Sequence, residues 1–279
     1  MSLPSEIVLQ AARRLLCSAE RARLDRICID DAGHGYDPFG LHADWLALGL
    51  MVTGLLYRRW FRVESHGIER VPRSGPVVLA ANHGGMLPLD AMMVWADLLR
   101  RTDPPRVPRP VVDHFVPLLP FVSTFFSRVG AVGGSRGNVH RLLQRGELVL
   151  IFPEGTTGVG KPRSQRFRLQ AWRVGHAEMA IRHRAPVVPV AILGPDEQFP
   201  LVWNAPLHAF GAPYLPISLT PLPLPVRYVI RYGEPLHLHA GTQPDDADDP
   251  AVLRHAAERV RAAEQSLIDD GLRSYRKWA

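Results

Sequence analysis

The sequence predicts an α/β fold in which a mostly parallel central sheet is flanked by helices. Continuous apolar runs occur at 77–81, 148–152 and 187–193, and such strands are typical of sheets covered on both faces. Helical spacing between these runs indicates parallel strands joined by helical crossovers. Of the 279 residues, 46% are hydrophobic, which is ample for a buried core.

Each predicted element follows from local spacing and from its boundary residues. Helices have apolar residues three or four positions apart, and strands are short and apolar. Pro88 lies near the first turn of one helix, where proline is tolerated, and Gly130 and Gly271 mark helix ends. The predicted helices are 3–24, 45–57, 89–100, 121–130, 138–146, 171–184 and 249–272; the predicted strands are 76–82, 108–115, 147–152, 185–193 and 226–236.

The apolar run 45–57 is the longest in the chain. Its thirteen residues fall short of the roughly 20 that a membrane-spanning helix needs. Arginines and aromatics follow at once in "RRWFR", a composition typical of a headgroup-level anchor. Two interpretations stay open: a segment 45–62 that lies in the membrane interface, or a core helix with a charged end.

Three regions are expected. N-terminal helices occupy 1–62, the main α/β domain spans 63–240, and an acidic linker and a helix packed on the domain fill 241–279. A proline-rich stretch from Pro213 to Pro225 is predicted to be irregular. Its length exceeds that of an ordinary connection, which favours a lid or a lipid-facing segment.

Charge and cysteine content narrow the function class. The net charge is +6, and lysine occurs only at Lys161 and Lys277, so arginine supplies most of the positive charge and suits phosphate or carboxylate contacts. No nucleic-acid module accompanies it, so no nucleic-acid partner is expected. Cys17 and Cys28 by themselves give neither a disulfide framework nor a zinc spacing. The N-terminus does not resemble a signal peptide, and a cytosolic compartment is expected.

The stretch "ANHGGMLPLD", 81–90, carries the first candidate for chemistry. His83 follows a buried strand, where α/β proteins place their sites, and a histidine there can act as a general base for a hydroxyl. Asp90 is the nearest carboxylate able to orient it. A loop that folds back at Gly84 and Gly85 would bring the two together. The alternative is a turn histidine followed by an aspartate that complements a helix N-terminus.

Two further stretches offer polar groups for a substrate. "FPEGTTG", 152–158, holds Glu154 at the end of a strand, beside Gly155 and Thr156. The stretch 160–173 is basic, with Lys161, Arg163 and Arg166 among its cations, and fits phosphate or anionic headgroups. Ordinary alternatives are a solvated turn for the first and a solvated helix face for the second.

The stretch "GGSRG", 133–137, matches Gly-x-Ser-x-Gly. This match suggests an alternative function, a serine esterase with Ser135 as nucleophile. The nucleophile elbow needs a strand before the serine and a helix after it. Here the preceding "RVGAV" is short and broken by glycine, so this is the weaker interpretation.

The order of the motifs resembles the glycerolipid acyltransferase superfamily, which includes the 1-acylglycerol-3-phosphate acyltransferases. "NHGGMLPLD", "GAVGGSR", "IFPEGTT" and "APVVPVAILG" look like its four successive blocks, over about residues 60–235. Two departures are visible. Six residues separate His83 from Asp90 where the common block has four, and Thr157 stands where the family often has arginine.

The resemblance implies O-acyl transfer from acyl-CoA or acyl carrier protein to a hydroxyl of a lysophospholipid or another glycerolipid, with no metal and no cofactor. His83 would be the general base, oriented by Asp90. The resemblance also implies that the protein acts on the cytoplasmic face of a membrane, in phospholipid biosynthesis or other lipid metabolism. Because of Thr157, an acceptor without phosphate, such as diacylglycerol, is the alternative. The residues expected to bind substrate are Arg136, Glu154, Gly155, Thr156, Lys161, Arg163 and Arg166.

Overall fold

The computed structural model describes residues 3–31, 33–114, 116, 121–206 and 214–275. Its helices α1 to α8 span Leu3–Leu15, Ser18–Asp25, Ala43–Leu55, Leu89–Arg101, Val122–Arg128, Arg136–Gln144, Gly175–Arg182 and Pro250–Tyr275. Its strands β1 to β9 span Glu64–His66, Val77–Ala81, Pro108–Val112, Val132–Gly133, Leu148–Ile151, Val187–Leu193, Leu201–Pro206, Tyr214–Ser218 and Val229–Tyr232.

A seven-stranded sheet forms the centre of the described chain, in the order β1-β9-β6-β2-β5-β3-β4. All neighbours in it are parallel except β6 and β9, which are antiparallel. The predicted α/β fold with a mostly parallel sheet is therefore confirmed. Strands β2, β5 and β6 run in the same direction, so their carboxyl ends meet at one edge, where such sheets place ligand sites.

Helices cover both faces of the sheet. Val77 and Leu79 of β2 join one core with α3 and α4, whereas Val78 and Ala80 of the same strand join another core with α6, α7 and α8. Successive side chains of a strand point to opposite faces, so an uninterrupted apolar strand belongs between two helical layers. All five residues of β2 are buried.

The predicted helix 3–24 is divided in two. Cys17 begins α2 as its N-cap: its thiol accepts a hydrogen bond from the backbone N–H of Glu20, and the Glu20 carboxylate accepts one from the backbone N–H of Cys17. This reciprocal cap satisfies amide groups that an unbroken helix would have bonded within itself. Apolar spacing does not reveal it.

The region after β6 also differs from expectation. The segment expected to be irregular contributes a strand, β8, which pairs antiparallel with β7 in a separate two-stranded sheet. Residue 115 of the predicted strand 108–115 and residue 213 of the stretch 213–225 lie outside the described residues.

Helix α3 has two kinds of surface. Leu46 and Leu50 are buried in the core, whereas Val52 and Leu55 are exposed. No helix within the described ranges is long and apolar enough to cross a membrane. The limits of the three regions and the role of 45–62 stay predictions.

Candidate active site

His83 and Asp90 are in contact at the carboxyl edge of the sheet. His83 follows β2 by two residues, and Asp90 lies in the first turn of α4. The His83 Nδ1 lies 2.6 Å from the Asp90 Oδ2. The same oxygen accepts a hydrogen bond from the Gly84 N–H at 3.0 Å, and Oδ1 accepts one from the Ala91 N–H at 2.7 Å. The six-residue spacer therefore folds back, as the sequence predicts.

Two glycines make this fold-back possible. Gly85 has a φ of +81°, a conformation that side chains other than glycine rarely adopt. A methyl group on Gly85 would collide with the side-chain amide of Gln198, and one on Gly84 would collide with the Asp196 carboxylate. The loop after β6 thus lies directly against the His83 loop. Only residues without a side chain fit between them.

The surroundings of His83 make its imidazole more basic. Burial acts to lower the pKa of the imidazole, but the charge of Asp90 and its hydrogen bond outweigh this and raise the pKa above its ordinary value. Asp90 is fully buried, and the ring packs against Phe152 with 4.5 Å between ring centroids. Because Nδ1 faces the carboxylate, Nε2 is the nitrogen available to a substrate.

Glu154 lies beneath the His83 loop. Its carboxylate accepts hydrogen bonds from the backbone N–H of His83 at 3.0 Å and of Gln170 at 2.7 Å. It also forms an ion pair with Lys161 at 3.1 Å, and both side chains are buried. The sequence predicts substrate contacts for Glu154 and Lys161. The structure instead places them in a buried pair that ties the FPEG turn to the His83 loop.

A cavity of about 660 Å³ opens beside His83. Apolar side chains form most of its walls, and polar groups come from several elements. Of the residues predicted to bind substrate, Arg136, Gly155 and Thr156 line it. Besides His83, the other polar residues in its wall are Asp113, His114, Ser135, Arg173 and His176. This size and chemistry suit a ligand with an apolar chain and a polar head.

Two arginines contribute positive charge to this cavity. Arg136 is largely exposed and pairs with Glu178 at 2.9 Å. The guanidinium of Arg173 lies so close to Gly155 that a methyl group there would be 3.3 Å from its Cζ. Sequence reasoning did not select Arg173 for the site. The available signal was its position at the end of the basic stretch.

The remaining predicted cations lie elsewhere. Arg166 pairs with Glu197 at 3.0 Å and is not among the described residues of the cavity wall. The side chain of Arg163 lies outside the described residues.

His176 is a buried residue of the cavity wall that sequence reasoning also missed. Its Nδ1 lies 3.0 Å from the carbonyl oxygen of Arg173, and burial lowers the pKa of its imidazole to about 4. It is therefore neutral near pH 7, and no basic function follows from it.

Ser135 lies in the cavity wall as the N-cap of α6, where its hydroxyl accepts a hydrogen bond from the Asn138 N–H at 3.2 Å. Its φ of −100° and ψ of 148° are ordinary extended values, unlike the strained backbone of a nucleophile elbow. Within the described part of the chain, no cluster of three or more His, Cys, Asp or Glu residues is arranged to hold a metal.

Comparisons with known proteins agree with this picture. Residues 62–193 match the family model described as Acyltransferase. An uncharacterised protein of Mycobacterium tuberculosis is 37% identical over 223 residues, which cover 76% of this chain and 62% of that protein. A human protein named DGAT1/2-independent enzyme synthesizing storage lipids is 26% identical over 215 residues, with coverage of 75% and 62%. The chain thus spans less than two thirds of the length of these relatives.

The fold has a counterpart among solved structures. The crystal structure of the 1-acyl-sn-glycerophosphate acyltransferase PlsC from Thermotoga maritima matches with a TM-score of 0.52 and 15% identity. The match covers 94% of this chain and 88% of PlsC. Family model and fold agree: residues 62–193 match the Acyltransferase family, and the described chain has the fold of PlsC.

Proposed function

We propose that this protein is an O-acyltransferase that moves a fatty acyl group from acyl-CoA or acyl carrier protein to a hydroxyl of a glycerolipid. The observation that supports this most directly is the His83–Asp90 pair at 2.6 Å beside a largely apolar cavity. The match to the Acyltransferase family supports the reaction class, and the pair supports the presence of a base at a place where a hydroxyl and an acyl chain could meet.

In the proposed mechanism, His83 Nε2 removes the proton of the acceptor hydroxyl as its oxygen attacks the thioester carbonyl carbon. A carbon–oxygen bond forms, and collapse of the tetrahedral intermediate breaks the carbon–sulfur bond. The imidazolium returns its proton to the leaving thiolate, so that products are an ester and a free thiol. Asp90 stabilises the imidazolium and fixes the tautomer with the proton on Nδ1.

We propose further that the acceptor carries an anionic group, bound between Arg136 and Arg173 at the cavity wall. Both are arginines, which match phosphate oxygens with paired N–H groups. Arg173 lies against the FPEG turn and supplies a cation there although Thr157 replaces the usual arginine. The proposed acceptor class is therefore a lysophospholipid.

A neutral acceptor such as diacylglycerol is the second candidate. It is favoured by Thr157 and by the similarity to a human enzyme named for storage-lipid synthesis. The two acceptors are separated by comparing Arg173→Gln with the unaltered protein. A phosphate acceptor predicts a KM raised by about tenfold or more for lysophospholipid, whereas a diacylglycerol acceptor predicts little change in its KM.

The test of the reaction itself is acyl transfer from labelled long-chain acyl-CoA to lysophospholipid and to diacylglycerol. His83→Ala is expected to abolish product formation, and Ser135→Ala is its control in the same cavity. Full activity of His83→Ala would show that the mechanism is wrong. Labelling by a fluorophosphonate that depends on Ser135 and not on His83 would favour the esterase alternative.

Association with the cytoplasmic face of a membrane through 45–62 is also part of the proposal. The exposed Val52 and Leu55 on α3, followed by Arg58, Arg59 and Trp60, support it. Replacing Val52 and Leu55 by serine is expected to release the protein from membranes without loss of folding. Unfolding would instead identify the helix as structural only.

A further inference from the structure

The hairpin of β7 and β8 and the loop that follows it expose large apolar side chains. Trp203 is 61% exposed, Leu219 is 72% exposed and Leu222 is 69% exposed. Val202 and Leu224 are exposed as well. A group of large apolar side chains exposed to solvent is unusual on a protein surface that has no binding partner.

The outward direction of these residues is built into the hairpin. The register of β7 shifts between Leu201 and Trp203, and such an irregularity breaks the alternation of side chains. Val202 and Trp203 are consecutive residues of β7, and both are exposed. The two strands form a sheet of their own, and an isolated hairpin gains little stability from itself.

The hairpin begins at the same edge of the sheet as His83. Strand β6 runs parallel to β2, and the segment after β6 brings Gln198 against the His83 loop. The Leu224 N–H donates to the Gln198 carbonyl oxygen at 2.7 Å. None of the described hairpin residues belongs to the cavity wall, so their exposure is separate from the proposed substrate site.

Trp60 and Arg62 join this apolar surface to the end of the α3 segment. The Trp60 indole N–H donates to the Pro223 carbonyl oxygen at 3.1 Å, and Arg62 donates to the Pro225 carbonyl oxygen at 2.8 Å. Arg59, next to Trp60, is exposed. The sequence from 198 to 233 contains no aspartate or glutamate. The surface is therefore apolar in its middle, with tryptophan and arginine at its side.

We propose that this docking surface binds an anionic lipid bilayer. It comprises Arg59, Trp60, Arg62, Val202, Trp203, Leu219, Leu222 and Leu224. The apolar side chains enter the boundary between headgroups and acyl chains, where tryptophan is favoured. The arginines contact lipid phosphates. The inference rests on the proposed function and deepens it, because it would bring the His83 edge of the sheet to the bilayer.

Charge complementarity favours a bilayer over a second copy of the chain. In a twofold dimer the same patch faces itself, so Arg59 and Arg62 would approach the same residues of the other copy without a carboxylate from 198–233 between them. An anionic bilayer can contact both the apolar side chains and the arginines of the docking surface.

Vesicle co-sedimentation with the full chain tests the proposal. The vesicles contain phosphatidylcholine either alone or with one third phosphatidylglycerol. The unaltered chain is expected to bind the anionic vesicles more tightly, and the double variant Trp203→Ser with Leu222→Ser is expected to bind them at least about tenfold more weakly. Full burial of one large apolar side chain is already worth more than a decade in affinity. Arg59→Gln is expected to weaken anionic binding by about fivefold and leave neutral vesicles unaffected.

A matched control uses Ile7→Ser with Leu15→Ser, which removes two exposed apolar residues of α1. Should the hairpin variant not fold by circular dichroism, Leu219→Ser with Leu222→Ser in the loop after β8 takes its place. Vesicle binding unchanged in the folded variant, or lost only in the α1 control, overturns the proposal. A concentration-dependent dimer that the hairpin variant abolishes, without vesicle binding, overturns it in favour of a second copy.

Acyl transfer measured with short-chain, water-soluble substrates tests the proposed function separately from the proposed binding to a bilayer. The hairpin variants are expected to retain this activity, because their altered residues lie outside the cavity wall. Absence of acyl transfer in the unaltered chain would count against the proposed function and leave the vesicle result standing.

Discussion

Replacement of Asp90 by asparagine is the sharpest test of the dyad. The change keeps the size of a fully buried side chain but removes its charge. The Asp90 Oδ2 accepts from both His83 Nδ1 and the Gly84 N–H. An amide nitrogen in that position would face two donors, so His83 would be driven to the tautomer with its proton on Nε2.

The expected loss can be worked from these contacts. A hydrogen bond to a charged acceptor contributes about 1.5–3 kcal/mol, which equals about a 10- to 160-fold change in rate. The wrong tautomer adds to this, because Nε2 then carries a proton and cannot accept another. The total is expected to lie between about 10²- and 10⁴-fold in kcat/KM, the usual range for general-base catalysis.

The pH dependence gives a second readout. Activity of the unaltered enzyme should rise with pH as His83 loses its proton, with the midpoint above the ordinary histidine value because Asp90 raises the pKa. In Asp90→Asn the effects of the Asp90 charge are lost, and burial, which is the largest influence on the imidazole and lowers its pKa, is opposed only by the charge of Glu154. The acid limb of the residual activity should therefore move to lower pH.

Asp97→Asn is the matched control for this experiment. Asp97 is buried on the same helix, two turns further along, and accepts hydrogen bonds from Tyr57, Ser65 and Tyr232. Its replacement should lower the melting temperature and leave kcat of the folded protein within a few-fold. If Asp90→Asn behaves like Asp97→Asn, with lower stability and intact turnover, Asp90 has no part in the chemistry.

Other substitutions follow from the same contacts. Gly85→Ala should lower both stability and activity, because its methyl group meets a side-chain amide, whereas Gly137→Ala, with open space around it, should have little effect on the melting temperature. Glu154→Gln should lower the free energy of unfolding, measured by denaturant titration, by about 3–5 kcal/mol, because it leaves Lys161 buried without its counter-charge. Adding Lys161→Met should recover part of the lost stability. No recovery would contradict the ion-pair argument. His176 is held neutral, with a folded pKa of about 4, below its unfolded value of about 6.5. Between these two pKa values the unfolded chain binds more protons than the folded chain, so the free energy of unfolding should fall by about 3 kcal/mol as the pH drops through that window. His176→Phe should flatten this dependence of stability on pH. An unchanged slope in the variant would assign the dependence to other groups.

Periodicity and motif order predicted much of the fold and part of the site. The uninterrupted apolar strands β2, β5 and β6 required helices on both faces, and the structure supplies them. The position of His83 after β2 placed it at the carboxyl edge of the sheet. Such features depend on neighbours along the chain, which a sequence shows directly.

Which partners each side chain contacts was not predictable in the same way. Glu154 was expected to face a substrate, yet it lies under the His83 loop with Lys161, because its partners come from 83, 161 and 170. Arg173 was not chosen, since only the folded chain brings it against Gly155. Contacts between distant segments decide which of several cations reaches the cavity.

By itself the sequence determined the sheet, its covering layers, the match to the Acyltransferase family and the edge at which His83 lies. Only the tertiary structure decided that Gly84 and Gly85 are confined by Asp196 and Gln198, and so how a six-residue spacer brings Asp90 to His83. The physical reason is that residue spacing limits how far apart two side chains can be. Packing of a remote loop against the backbone decides which of the allowed separations the chain adopts.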